Sequence, residues 1–187
     1  MLKRLFDLTL VVVGGLMLAL PMLAIALSVR MTSPGPVLYW SDRVGRLNRI
    51  FRMPKFRSMR IDTPEVATHL LQDPGEFITP VGAFLRKTSL DELPQLWCIL
   101  TGDMSFVGPR PALHNQADLI DLRTRAGVHE LVPGLTGWAQ INGRDELPIP
   151  EKVALDAEYL IKQGFFFDIR IIWLTAIKVL RRDGVSH

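Results

Sequence analysis

A chain of 187 residues has room for one domain with a real core, and 48% of its residues are hydrophobic. The single cysteine, Cys98, excludes an intramolecular disulfide framework and a cysteine-rich zinc site. Net charge is only +3, yet the stretch from Arg43 to Arg60 is strongly basic and holds no acid. Such a block suits phosphates, nucleic acid, anionic lipid or a plain solvated face.

Lys3 and Arg4 precede an uncharged run, LTLVVVGGLMLALPMLAIALSV, between Asp7 and Arg30. As a straight helix it would reach roughly 33 Å, enough to cross the hydrocarbon core. Ala24-Ile25-Ala26 resembles a signal-peptidase site, but the apolar run continues to Val29 and the basic block follows without a linker. Basic residues favour the cytoplasmic side, and a chain that bends back keeps both basic groups there. Pro21 offers the bend, and Gly14 and Gly15 loosen the half before it. The expectation is a re-entrant helix-break-helix over residues 1–32 and one interface-associated unit over 33–187. Arg4 and Asp7, three apart on a helix, are spaced to pair. Ser33-Pro34-Gly35-Pro36 reads as the exit loop.

Val37-Leu38-Tyr39-Trp40 and Ile50-Phe51-Arg52-Met53 read as short strands around a turn at Gly45 to Asn48. Residues 64 to 75 read as a short helix or a loop. Residues 80 to 86 form an apolar piece, and 112 to 126 and 151 to 163 carry helical spacing. The tail FFFDIRIIWLTAIKVLRR is apolar around most of its circumference, with Asp168, Thr175, Lys178 and Arg182 on one stripe. It fits an interfacial helix or an ordinary core helix. The fold class expected is α+β, mostly helical, with small strands and amphipathic interfacial helices.

Three motifs carry the candidate chemistry. In Ser89-Leu90-Asp91-Glu92-Leu93-Pro94-Gln95-Leu96-Trp97, Ser89 and Glu92 have capping-box spacing. Pro94 fits better if Asp91 is the N-cap, where the helix end favours an ionised carboxylate and a nearby phosphate. In Gly102-Asp103-Met104-Ser105-Phe106-Val107-Gly108-Pro109-Arg110-Pro111, two prolines stiffen the loop around Arg110, a suitable phosphate clamp or a surface arginine in a turn. In Pro133-Gly134-Leu135-Thr136-Gly137-Trp138-Ala139-Gln140-Ile141-Asn142-Gly143-Arg144, glycines allow close backbone approach, Trp138 offers a flat face and Arg144 a second cation. The same stretch also reads as a strand ending in a turn. Walker A, G-x-G-x-x-G, H-E-x-x-H and nucleophile-elbow motifs are missing, and the dispersed tryptophans make no stacking platform for nucleic acid.

Together with Lys55-Phe56-Arg57-Ser58-Met59, these motifs, in this order, closely resemble the bacterial sugar transferases, the monotopic polyprenyl-phosphate phosphoglycosyl transferases. The resemblance runs over nearly the whole chain and implies the minimal catalytic form. It implies transfer of a sugar-1-phosphate from a UDP-sugar to undecaprenyl phosphate at the cytoplasmic face of the bacterial inner membrane. By resemblance Asp91 is the nucleophile and Glu92 its partner, with a magnesium ion near both carboxylates. Arg86, Arg110 and Arg144 are the candidate phosphate contacts. Some relatives carry Ser-Pro at the hairpin bend where this chain has Leu20-Pro21.

Membrane lipid is an implied partner, nucleic acid is not, and a homo-oligomer is compatible with the sequence. Two other readings fit parts of the chain. One is a secreted, signal-cleaved binding domain, and the other is a basic, membrane-associated nucleic-acid-binding protein.

Overall fold

The computed structural model describes residues 2–64, 74–143 and 147–181. Most of the 64–75 segment, Arg144 and the end of the chain lie outside the described residues.

Helix α1 spans Leu2–Thr32 and is long and apolar enough to cross a membrane. The helix runs through Pro21 without a break, contrary to the expected helix-break-helix. A proline removes one hydrogen bond and bends the axis, but it need not end a helix whose other bonds persist. The two ends of α1 are packed against the rest of the chain, with Val11 and Val29 buried in separate core clusters. Between them Leu16, Met17 and Leu20 are about three-quarters exposed, and a Cβ on Gly14 or Gly15 would touch nothing.

Arg4 and Asp7 do not pair with each other. The Arg4 guanidinium donates to the carbonyls of Ile99 and Leu100, while the Asp7 carboxylate accepts the Phe106 N–H at 3.1 Å. Each finds an orphan backbone group in the domain, which is a stronger claim on a buried charge than a neighbour one turn away. A chain cut after Ala26 would lack Lys3, Arg4, Asp7 and Val11, all integral to the packing, and this weighs against the signal-cleaved reading.

Strands β1 (Leu38–Val44) and β2 (Ile50–Phe56) form an antiparallel hairpin in the register Leu38↔Phe56 to Val44↔Ile50. Its turn is closed by Gly45 N–H donating to Arg49 O at 2.7 Å, with Leu47 and Asn48 left-handed. Much of the basic block is engaged within the fold. Arg46 donates to Glu130 O, Arg52 lies 5.3 Å over the Trp40 ring, and Arg57 donates to both oxygens of Ser33.

Beyond the short α2 (Pro74–Phe77), Thr79 caps α3 (Pro80–Thr88) by accepting the Gly82 N–H at 2.9 Å, with Pro80 in the first turn. A 3-10 helix, Leu90–Gln95, then leads into α4 (Leu96–Thr101). Next come β3 (Ser105–Val107) and β4 (Ala112–Leu113). The first residues of the expected 112–126 helix thus belong to a strand paired with β1, and α5 covers only Ala117–Arg125.

Strand β5 (Gly134–Thr136) pairs in parallel with β3, and α6 (Trp138–Asn142) and α7 (Ile149–Lys162) follow. The last element, α8 (Phe165–Arg181), turns Asp168 and Thr175 inward. Asp168 is buried, and the Thr175 hydroxyl meets that of Thr136 at 2.7 Å. Ile171 is fully buried beside them, while Phe166, Trp173 and Val179 face outward. Phe167 packs against the core, whereas Phe166 and Trp173 are displayed at the surface.

Candidate active site

The two adjacent carboxylates lie on the 3-10 helix and meet different surroundings. Ser89 is left-handed and closes α3, so the expected capping box with Glu92 does not form. Asp91 is not the N-cap of a regular α-helix either. The chain passes Pro94 in the tighter 3-10 geometry and starts α4 at Leu96.

Glu92 Oε1 accepts from Lys55 Nζ at 2.7 Å and from Arg110 Nη2 at 3.1 Å. Lys55 comes from β2, which runs beside the 3-10 helix, and Arg110 from the loop between β3 and β4. Burial alone would raise the Glu92 pKa, but these two cations outweigh it and hold the carboxyl well below the usual range. Asp91 is treated otherwise. It is 7% exposed, and among the described residues no hydrogen bond or ion pair occupies its carboxylate. Burial raises its pKa, Lys55 pulls it back, the Glu92 charge adds to the rise, and Arg86 and Arg110 lower it.

The loop that carries Arg110 is fixed at each carbonyl. Pro109 O accepts from Gly134 N at 2.9 Å, Arg110 O from Arg123 Nη1 at 2.8 Å, and Pro111 O from Arg43 Nη1 at 3.3 Å. The glycines of the two downstream motifs have a structural use. A Cβ on Gly137 would fall 2.1 Å from Gly108 O, and one on Gly134 would fall 2.1 Å from Gly108 N. They let two backbones approach each other. Trp138 is likewise occupied, its indole N–H donating to Glu158 at 2.9 Å and its ring packed on Phe167.

A buried, ungripped carboxylate beside a neutralised one, ringed by three cations, is an arrangement for meeting phosphate. The profile of the family described as "Bacterial sugar transferase" matches residues 1–182. The chain belongs to that family. It is 41% identical over 186 residues to a "UDP-glucose:undecaprenyl-phosphate glucose-1-phosphate transferase" of Escherichia coli (strain K12), covering 95% of this chain and 40% of that protein. A Xanthomonas campestris pv. campestris protein of the same description is 43% identical over 186 residues, covering 95% of this chain and 38% of that protein. The "Uncharacterized sugar transferase EpsL" of Bacillus subtilis (strain 168) is 40% identical, with 100% of this chain and 91% of that protein covered. The chain thus spans about two-fifths of the length of the two glucose-1-phosphate transferases.

For this sugar transferase, the structure brings Asp91, Glu92, Arg86 and Arg110 into one electrostatic cluster. Pro21 lies apart, in the exposed stretch of α1, and Arg144 falls outside the described residues. Lys55 was not singled out from the sequence as a site residue. The signal available was its motif, Lys55-Phe56-Arg57-Ser58-Met59, within a predicted hairpin.

Among the described residues no three His, Cys, Asp or Glu side chains gather as metal ligands. A magnesium ion is commonly held by one or two carboxylates, with phosphate oxygens and water completing the shell. The unoccupied carboxylate of Asp91 and the second oxygen of Glu92 fit that donor set.

Proposed function

We propose that this chain transfers a sugar-1-phosphate from a UDP-sugar to undecaprenyl phosphate, giving undecaprenyl-diphosphate-sugar and UMP. The observation that carries the reading is the unequal treatment of the adjacent carboxylates, Glu92 gripped by Lys55 and Arg110 and Asp91 left unbound among the described residues.

In the proposed sequence an Asp91 oxygen attacks the β-phosphorus of the donor. The bond from that phosphorus to the bridging oxygen breaks, UMP departs, and the phosphosugar is held as an acyl phosphate. An oxygen of the lipid phosphate then attacks the same phosphorus and releases the Asp91 carboxylate. Two in-line displacements at one phosphorus separate the encounter with a soluble donor from that with a lipid acceptor.

Burial helps Asp91 as nucleophile, because a desolvated carboxylate with no hydrogen bond is more reactive than a hydrated one. Arg86 and Arg110 offset the diphosphate charge, Lys55 keeps Glu92 ionised and in place, and Arg144 is a further candidate for phosphate contact. Magnesium, when bound at Asp91 and Glu92, would supply charge neutralisation for the diphosphate.

On this reading the reaction runs at the cytoplasmic face of the inner membrane. Support comes from α1, packed at both ends and exposed along its apolar middle, which fits a helix that embeds that middle in a membrane. The outward apolar face of α8 fits a helix lying in the headgroup region, where Trp173 and Phe166 favour the boundary.

The test is UMP release by detergent-solubilised protein with magnesium, undecaprenyl phosphate and a panel of UDP-sugars beginning with UDP-glucose. Release with at least one donor, abolished by Asp91→Asn, is expected. Full activity in Asp91→Asn would overturn the assignment of the nucleophile.

A further inference from the structure

We infer, on the reading that Arg110 meets a substrate phosphate, that Arg123 and Asp156 are positioning residues that set where the Arg110 guanidinium stands. Arg123 lies on α5 and is 8% exposed, and Asp156 lies on α7 and is 1% exposed. Arg123 Nε and Nη2 both donate to Asp156 Oδ2, at 2.9 and 2.6 Å. One edge of the guanidinium is therefore committed to its counter-ion. The remaining nitrogen, Nη1, reaches away from that pair to the main-chain carbonyl of Arg110 at 2.8 Å.

A buried ion pair is costly to desolvate and frequently no more stabilising than an apolar replacement, so its presence points to geometry rather than stability. Here the geometry has a definite object. Arg110 stands between Pro109 and Pro111, and Pro111 lacks an N–H that could fix the intervening peptide. That peptide is held through its carbonyl, by Arg123.

Pro109 and Pro111 are buried, but packing around the peptide between them is incomplete. A cavity of about 30 Å³, lined in part by Pro109, Arg110, Pro111 and Arg123, lies against the loop. It has room for a water molecule or so, where solid side chains would otherwise brace the backbone. The Arg110 side chain then reaches Glu92 at 3.1 Å, near the upper end of good hydrogen-bond length. A small rotation of the Arg110 carbonyl carries that guanidinium out of register with both Glu92 and an incoming phosphate. Asp156 sets Arg123, and Arg123 sets Arg110.

Arg123→Lys tests this, because it keeps a cation opposite Asp156 but cannot donate to both the carboxylate and the carbonyl in the same geometry. The first measurement is hydrogen exchange of the full chain in detergent, which needs no substrate. Exchange at the amides of residues 108–113 should quicken about fivefold or more, with the middle of α7 changed less than about twofold. Unchanged exchange in the loop would overturn the proposal.

The second measurement is a double-mutant cycle on kcat/KM for UMP release. Arg123→Lys should cost about tenfold in the unsubstituted protein and less than about twofold in an Arg110→Ala background. Equal losses in both backgrounds would mean that Arg123 acts by a general structural route and not through Arg110. Should Arg123→Lys fail to fold, Asp156→Asn goes through the same two measurements with the same expectations. If the unsubstituted protein released no UMP with any donor, the proposed function would fall, and the exchange result alone would decide the positioning role.

Discussion

The ammonium of Lys3 and the carboxylate of Asp168 meet at 2.5 Å, joining the first turn of α1 to the first turn of α8. The Tyr159 hydroxyl from α7 donates to the other oxygen of Asp168 at 2.7 Å, and Val107 O on β3 accepts from Lys3 at 3.0 Å. Four elements converge on one buried acid. Burial, and then the Asp168 hydrogen bond, push the Tyr159 phenol far above its ordinary pKa, so it stays a donor at every physiological pH. The apolar helix is thereby coupled to the domain by a charge and not by greasy contact alone.

Lys3→Met is expected to destabilise the protein by about 2 kcal/mol, because it leaves the buried Asp168 charge with the tyrosine as its remaining side-chain partner among the described residues. Pairing it with Asp168→Asn should recover part of the loss, since the amide carries no charge to strand. Thermal unfolding of the three variants in one detergent checks this. Strict additivity of the two single losses would show that the contact carries no coupling.

Asp91→Asn is expected to raise the unfolding temperature at neutral pH while abolishing UMP release. Burial lifts the folded pKa of Asp91 above its unfolded value, so the folded state binds the proton more readily. Stability from this group is therefore present below the unfolded pKa and lost as pH rises through the folded one. At neutral pH the ionised carboxylate is a cost that the amide removes. The advantage of Asp91→Asn should shrink as pH falls toward the ordinary carboxylate range. Unfolding curves in chelator, from neutral to acidic pH, read it directly.

Glu92→Gln should do the opposite. Its folded pKa lies below the unfolded value because Lys55 and Arg110 outweigh burial, so its stabilisation is present above the unfolded pKa and lost as pH falls. The amide leaves two cations facing a neutral group, at a cost of about 2–3 kcal/mol at neutral pH. The gap from the unsubstituted protein should narrow below about pH 4, where the unfolded carboxyl is protonated. Two substitutions one residue apart would then shift stability in opposite directions, and matching signs would mean that one of the two environments is misassigned.

Much of this was legible because local rules and tertiary needs agreed. The hairpin follows from two short apolar runs around Gly45, and the 22-residue uncharged run is long enough for a membrane-length helix. Asp91, Glu92 and Arg110 stand in ordered motifs and Arg86 lies just before the first carboxylate motif, and the fold brings the four into one electrostatic neighbourhood. What escaped depends on contacts distant in sequence. Lys55 stands in a motif, but its role could not be read there, because what sets it apart is the acid on the neighbouring 3-10 helix. Arg4 and Asp7 had the spacing to pair, yet each had a backbone partner about a hundred residues away. The inward Asp168 and Thr175 of α8 show the same limit, since they look solvent-facing until Lys3 and Thr136 are placed against them.

The glycines offer the sharpest contrast between positions that look alike in sequence. Gly108→Ala would set a Cβ 2.3 Å from Val132 O, and Gly137→Ala one 2.1 Å from Gly108 O. In both cases the obstacle is backbone, which cannot rotate aside as a side chain would, so each should cost about 3 kcal/mol or prevent folding. Because the β3–β5 pair anchors the start of the Arg110 loop through Gly134 N–H and Pro109 O, any folded fraction should also release UMP more slowly. Gly15→Ala meets nothing within 4 Å and replaces a poor helix former with the best one, so it should be neutral or stabilising by up to about 1 kcal/mol. Unfolding temperature and UMP release for the three variants, side by side, check the ranking. A well-folded Gly137→Ala that loses only donor binding would instead return that glycine to the role of a ligand cradle.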